Sequence, residues 1–311
     1  MHFQSYAVIG TGALGGYYGG RLQQAGAEVH FLLRSDYEHV RRHGLRIESV
    51  MGDFELPRVK AYRQAADMPP CEVVLVTLKT TQNHLLPELL PPLVKADTIV
   101  AVLQNGLGIE AEAAAIVGAD KVVGGLCFIC SNKVGPGHIR HLDYGQITLG
   151  EYTADDRPGG ITARLRWLAA DLEQARIPLA LVDDLVTARW KKLVWNIPFN
   201  GLSVVLNAAT DELIQCEHSR ALAIELMQEV LAAAAAVHQR HIPASFIHEM
   251  VAATAQMQPY RTSMKLDYDA GRPLEVEAIF GRPLRLAQAA GLAVGHLDTV
   301  YRQLKFLDSR A

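Results

Sequence analysis

Residues 6–34, YAVIGTGALGGYYGGRLQQAGAEVHFLLR, constrain the fold more than any other stretch. Ala7, Val8 and Ile9 form the short apolar run that a strand needs when helices cover both faces of its sheet. Gly10, Thr11, Gly12, Ala13, Leu14 and Gly15 follow and fit G-x-G-x-x-G between a strand and a helix. The first glycine permits a tight turn, the second leaves room for a pyrophosphate against the backbone, and the third lets helix and strand pack closely. A helix N-terminus adds unpaired N–H groups and a partial positive charge. Gly26 ends the helix and residues 28–33 form the second strand. The pattern predicts a dinucleotide-binding unit at the start of the chain.

The end of that second strand bears on which dinucleotide. A site for the 2′-hydroxyl form places Asp or Glu about 20 residues beyond the glycines. Here Leu33 is followed by Arg34 and Ser35. A guanidinium pairs with a 2′-phosphate in a fork and stacks on adenine, whereas a carboxylate repels that phosphate. Asp36 lies close enough in sequence to serve a ribose hydroxyl instead, and Arg34 can also be read as a solvated loop residue. The local chemistry favours NADP(H).

The chain has 311 residues, enough for two domains. Half of them are hydrophobic, a fifth are charged and the net charge is −3, so no global field favours nucleic acid or an anionic membrane. A strand opens the chain where a secretory leader would show a charged region and a long apolar run. No uninterrupted apolar segment reads as long enough to span a bilayer. Four cysteines, Cys71, Cys127, Cys130 and Cys216, read most simply as reduced thiols of a cytoplasmic protein.

Beyond residue 34, residues 44–50 and 54–57 alternate about Met51-Gly52-Asp53 as a hairpin. Residues 71–78 form a buried strand ending at Lys79, followed by a helix toward Leu90 that Pro91-Pro92 terminates. Residues 98–103 are another strand, ending in Gln104-Asn105-Gly106. Lys79 and Asn105 thus stand at strand C-termini, where open α/β sheets bind ligands. Strands at 121–130 and 146–149 flank Gly135-Pro136-Gly137, and a helix from about Ile161 leads to a last strand at 178–182. From Asp183 onward only helical periodicity remains. The expected architecture is α/β: a Rossmann-type, doubly wound parallel sheet over residues 1–182, then an all-helical substrate and catalytic domain over residues 183–311.

The helical part opens with Asp184 as a plausible N-cap. Lys192, Asn196 and Asn200 then recur every fourth residue, so they share one helix face, and Pro198 is expected to kink that helix. A lysine among Trp190, Leu193, Val194 and Trp195 has its charged form disfavoured, which suits a proton donor near neutral pH. Amides beside it orient a substrate and donate to developing charge on oxygen. The competing reading is a snorkelling lysine with amides serving the core. Position on the first helix after a nucleotide domain favours the catalytic reading.

In order and spacing, the chain resembles the ketopantoate reductases (2-dehydropantoate 2-reductases) over nearly its whole length. The resemblance rests on Gly10 to Gly15, Val76-Thr77-Leu78-Lys79, Gln104-Asn105-Gly106, Trp190 to Asn196 with Asn200-Gly201-Leu202, and Ser263-Met264 followed by Asp267 and Gly271 to Val276. It implies reduction of the ketone of 2-dehydropantoate by NADPH, giving pantoate on the route to coenzyme A. By the same resemblance, Lys192 is the general acid and Glu275 a carboxylate near it that helps hold the substrate. Asn196 and Asn200 orient the substrate, Ser263 donates to its carboxylate, and Asn105 serves the nicotinamide and substrate end. Arg34 and Lys79 are implied to recognise the 2′-phosphate. This chain departs from the family at Leu274-Glu275-Val276-Glu277, where many members read Thr-Glu-Ile-Asp, at Thr210, where some carry asparagine, and at Gln104, where some have histidine. These positions leave open which keto acid is taken.

Other signals weigh less. Cys127-x2-Cys130 with His138-x2-His141 is too tightly spaced for the common zinc patterns, and His248-Glu249 lacks the second histidine of H-E-x-x-H. No metal is expected. The partner expected is a small 2-keto acid, with a homodimer compatible with the plan and neither nucleic acid nor membrane involved. Alternatives are a β-hydroxyacid dehydrogenase, disfavoured because no glycine precedes Lys192 in residues 185–190, a reductase of a different 2-keto acid, and a non-catalytic NADP(H) sensor.

Overall fold

The apolar runs at residues 6–9, 73–76 and 99–102 are buried and become the middle of one large sheet. The computed structural model describes residues 4–310. They divide into two compact units: one runs to Gln104 and resumes at Ile109–Leu185, and the other comprises Asn105–Gly108 and the chain from Val186 onward.

In the first unit, β1 (Ser5–Ile9), α1 (Ala13–Gln24) and β2 (Glu28–Leu32) form the opening β-α-β element. After α2 (Tyr37–His43) come β3 (Leu45–Ser49), β4 (Phe54–Leu56), β5 (Lys60–Tyr62) and β6 (Cys71–Val76). They are followed by α3 (Leu86–Leu89), β7 (Val94–Val102), α4 (Ile109–Val117), β8 (Val122–Gly135), β9 (His138–Glu151), α5 (Ala163–Gln174) and β10 (Leu179–Val182). The strand order is β4-β3-β9-β8-β7-β6-β1-β2-β5, with β10 on β9. Pairing is parallel except between β3 and β4 and between β8 and β9. The glycine turn therefore leaves the C-terminal end of β1, between β6 and β2, where the order reverses direction.

Three local features differ from the sequence reading. The segment after Lys79 is a 3-10 turn, Thr80–Leu85, and then the single turn of α3, not one long helix. Pro87 explains it: inside a continuous α-helix it would remove a hydrogen bond and press its ring on the carbonyl four residues back. Residues 122–151 form one long antiparallel hairpin turning at Gly135-Pro136-Gly137, not separate short strands. Its polar tip residues carry no burial pattern, so periodicity marks only the two buried ends. β5 is too short to stand out and pairs in parallel with β2.

The second unit is helical: α6 (Leu185–Val205), α7 (Thr210–Gln215), α8 (Glu217–His238), α9 (Ser245–Gln256) and α10 (Ser263–Asp269). A π-helical turn at Glu277–Gly281 leads into α11 (Arg282–Ala289), and α12 (Gly295–Asp308) follows. α6 continues as helix through Pro198. Trp190, Leu193, Val194 and Ile197 of α6 pack with Leu226, Met227 and Val230 of α8 and with Phe280. By length and composition α8 is apolar enough to cross a membrane, with a mean hydropathy of 1.4 over its best window. Glu225 and Glu229 interrupt the run, so it is not one uninterrupted apolar segment, and its buried face is a core face of this unit.

Candidate active site

In the first unit the glycine turn is built as its residue types require. Gly10 has φ +96°, and a Cβ there would lie 2.7 Å from the Leu78 backbone nitrogen. A Cβ on Gly15 would collide with the Gly10 carbonyl oxygen and with Thr77 Oγ1. A Cβ on Gly12, by contrast, would have only the Gly10 carbonyl within reach, at 4.0 Å. The middle glycine therefore faces open space at the N-terminus of α1, whose first turn holds no acidic residue. Two threonines clamp the turn. Thr11 Oγ1 donates to the Leu32 carbonyl at 2.9 Å, and Thr77 Oγ1 lies 2.9 and 2.8 Å from the carbonyls of Ile9 and Gly10. Ala13 and Leu14 supply further backbone N–H groups in the first turn. An anion fits this concavity: free N–H groups, a helix dipole and no opposing carboxylate.

Arg34 is exposed just beyond β2 and has no carboxylate partner among the described residues. Asp36 is buried at 7% exposure and takes three donors. Its Oδ1 accepts from Lys133 Nζ at 2.7 Å and from Ser35 Oγ at 3.0 Å, and its Oδ2 accepts from the Gly137 backbone at 3.0 Å. Burial pushes the Asp36 pKa up, but the Lys133 ammonium and the Gly137 N–H outweigh it and hold the carboxyl below its usual range. This carboxylate is thus engaged by the protein itself. Lys79 is exposed at the start of the 3-10 turn after β6.

In the second unit, Lys192, Asn196 and Asn200 fall on one face of α6, Lys192 half-buried and both amides buried. Asn200 is 2% exposed, and its Oδ1 has no hydrogen-bond partner within the protein. A buried acceptor of this kind costs stability unless something satisfies it. Glu275 is buried just ahead of the π-helical turn. π-Turns recur at functional sites because the extra residue re-aims neighbouring side chains. The segment before it is pinned: Arg272 Nε donates to Asp267 Oδ1 at 2.9 Å, and the Leu274 backbone donates to Asp308 Oδ1 at 2.8 Å.

Two further links gather the remaining candidates within this unit. Asn105 lies on the loop Asn105–Gly108, where the Leu107 N–H donates to the Ala278 carbonyl at 3.0 Å. Gly106 has φ +106°, and a Cβ there would lie 2.5 Å from that same carbonyl oxygen. The Asn105 loop therefore sits against the turn that follows Glu275. Ser263 is the first residue of α10, and Thr262 before it caps that helix and contacts Ser203 of α6.

The description "Ketopantoate reductase PanE/ApbA" matches residues 6–154, and its C-terminal counterpart matches residues 184–308. The chain belongs to the ketopantoate reductase family. A 2-dehydropantoate 2-reductase from Nostoc sp. is 59% identical over 310 residues, spanning 100% of this chain and 97% of that one. The crystal structure of 2-dehydropantoate 2-reductase from Geobacter metallireducens GS-15 superposes with a TM-score of 0.93 at 42% identity, covering 97% of this chain and 99% of that one. A dimeric ketopantoate reductase from Staphylococcus aureus shares the fold, with a TM-score of 0.82 at 22% identity over 98% and 99% of the two chains.

The family's sequence pattern picks out the candidate site residues and misses side chains that bond to the segments around them. Ser203, Thr262 and Lys133 carry no motif, and hydroxyls or a lone lysine at such separations leave no periodic trace. The one local clue was Thr262 three residues before Lys265, an N-cap spacing.

Proposed function

We propose that this oxidoreductase reduces the ketone of 2-dehydropantoate to pantoate with NADPH, the first unit holding the cofactor and the second the keto acid. The reading is carried by the α6 face of Lys192, Asn196 and Asn200, with the Asn200 Oδ1 buried and unsatisfied by the protein. When bound, NADPH supplies the hydride that adds to the ketone carbon. Lys192 Nζ gives its proton to the ketone oxygen as that oxygen gains charge, so the alcohol forms without a free alkoxide. Asn196 and Asn200 orient the substrate through their amides, and Ser263 donates to its carboxylate. Glu275 stands near the lysine as the carboxylate that helps hold the substrate, with Asn105 at the nicotinamide and substrate end. In the first unit, residues 10–15 cradle the pyrophosphate, and Arg34 with Lys79 meets the 2′-phosphate. Support comes from the open space at Gly12 and the unpaired guanidinium of Arg34.

The partner is thus a small molecule, the assembly we propose is a homodimer as in the Staphylococcus aureus relative, and the compartment is the cytoplasm. The test is loss of NADPH absorbance on adding 2-dehydropantoate, with NADH and other 2-keto acids alongside. Turnover preferring NADPH and 2-dehydropantoate is expected. Faster turnover of another 2-keto acid would move the substrate assignment and leave the fold and cofactor in place. NADPH binding with no turnover of any keto acid would overturn the catalytic reading.

A further inference from the structure

Asp36 lies two residues beyond Arg34, close to the strand end where a dinucleotide site for the 2′-hydroxyl form keeps its acceptor. It precedes α2 directly, yet its side chain makes no cap to that helix. Instead it turns to the β8–β9 hairpin, to Lys133 on β8 and to the Gly137 N–H at the hairpin turn, 97 and 101 residues away in sequence. Gly137 has φ +62°, and a Cβ there would press on the Gly44 carbonyl at 2.9 Å, so this turn is fitted closely to the end of α2. The next acid, Glu38, is also engaged: its carboxylate lies 3.1 Å from Arg63, 3.5 Å from Arg41 and 3.7 Å from Arg42. Neither carboxylate of residues 34–38 is left to face a ligand. Arg34, Lys133 and Asp36 together carry two positive charges and one negative, leaving +1 beside the end of β2.

We propose that Lys133 is a positioning residue for cofactor selection: by pairing with the buried Asp36 carboxylate, it withdraws the acid that would accept a ribose hydroxyl and repel a 2′-phosphate, so Arg34 meets the phosphate unopposed. The inference rests on the NADP(H) reading above. It assigns a specificity role to a residue on the β8–β9 hairpin, outside the glycine turn and the strand end that usually decide this choice. Lys133 acts through Asp36 and not by touching the phosphate, which gives the idea a distinctive signature.

The test is calorimetric binding of 2′,5′-ADP and of 5′-ADP to the full chain, with the NADPH-to-NADH ratio of kcat/KM as a second readout. Wild type is expected to prefer 2′,5′-ADP. Lys133→Met leaves the Asp36 carboxylate, two residues from Arg34, without its paired cation and is expected to weaken 2′,5′-ADP about tenfold while sparing 5′-ADP. Lys133→Arg restores the pair and keeps the preference. The deciding variant is Lys133→Met with Asp36→Asn: removing the acid as well should bring 2′,5′-ADP affinity back to near the wild-type value. A double variant as weak as the single one overturns the proposal, because Lys133 then contributes to the phosphate directly. An unchanged preference in Lys133→Met overturns it too. Should Lys133→Met not fold, Asp36→Asn alone decides: the proposal expects the preference kept or raised, and its loss refutes it. A wild type without preference for 2′,5′-ADP removes the NADP(H) reading itself, an outcome visible before any variant is made.

Discussion

Ser203 Oγ on α6 lies 2.8 Å from Thr262 Oγ1 at the cap of α10, and both residues are fully buried. Ser203 Oγ is also 3.1 Å from the Asn200 carbonyl, and the Lys265 N–H donates to Thr262 Oγ1 at 3.2 Å. The arrangement that uses every proton runs from Lys265 N–H to Thr262, from Thr262 O–H to Ser203, and from Ser203 O–H to Asn200. A single chain of hydrogen bonds thus ties the turn carrying Asn200 to the turn carrying Ser263.

Cutting that chain should loosen both turns at once, and with them the substrate contacts proposed for Asn200 and Ser263. Thr262→Val removes the cap and the bridge together and should cost about 1–2 kcal/mol of stability in urea unfolding. The KM for the keto acid should rise several-fold while NADPH affinity, which we propose the other unit carries, stays put. Ser203→Ala and the double variant complete a thermodynamic cycle, and a coupling near zero would show that the two hydroxyls act independently.

Asn200 should separate stability from function. Its Oδ1 is buried without a protein partner, so Asn200→Leu, similar in size, removes a cost and should leave stability unchanged or slightly raised. Loss of an orienting amide should lower kcat/KM for the keto acid by about 10- to 100-fold. A large loss of stability in this variant would mean that the amide serves the core.

Lys192→Ala should lower kcat by about 10²-fold or more with NADPH affinity nearly unchanged. Steady-state kinetics and cofactor titration on the same preparation check both halves. Turnover at the wild-type rate would remove this lysine from the mechanism.

The first unit should carry an acid-side stability loss traceable to His141. This ring is buried against Tyr17, Nδ1 lying 2.8 Å from Ser49 Oγ and Nε2 facing the carbonyls of Asp143 and Tyr144 at 3.0 Å each. Burial lowers its pKa below 6.5, opposed in part by the Tyr144 and Asp143 carbonyls and the Asp143 carboxylate, and assisted by the Arg21 charge. The unfolded chain therefore takes up the proton first, so stability present above pH 6.5 is lost as pH falls toward the folded value. His141→Gln should flatten that slope, which urea midpoints measured between pH 7.5 and 5 would register. An unchanged slope assigns the loss to other groups.

Much of this molecule is legible in the sequence alone. The glycine turn, the buried strands β1, β6 and β7, and the Lys192/Asn196/Asn200 face are written as local patterns, because each depends on neighbours within a turn or a strand. Where the local pattern was incomplete, the reading fell short. Pro87 broke a helix that its apolar neighbours suggested, and the tip of the β8–β9 hairpin showed no alternation because it has little core to face.

By itself the sequence determined the order of elements, the glycine turn at the start of α1 and the residue types available for proton transfer, since these follow from spacing along one chain. It left open whether Asp36 faces a ribose hydroxyl, and only the tertiary structure brings Lys133 and Gly137 from about a hundred residues away to bond it. The same holds for Ser203 with Thr262 and for the Asn105 loop on Ala278. Hydrogen bonds between distant segments are fixed by how the core packs, and that packing has no period in the sequence for a reader to find.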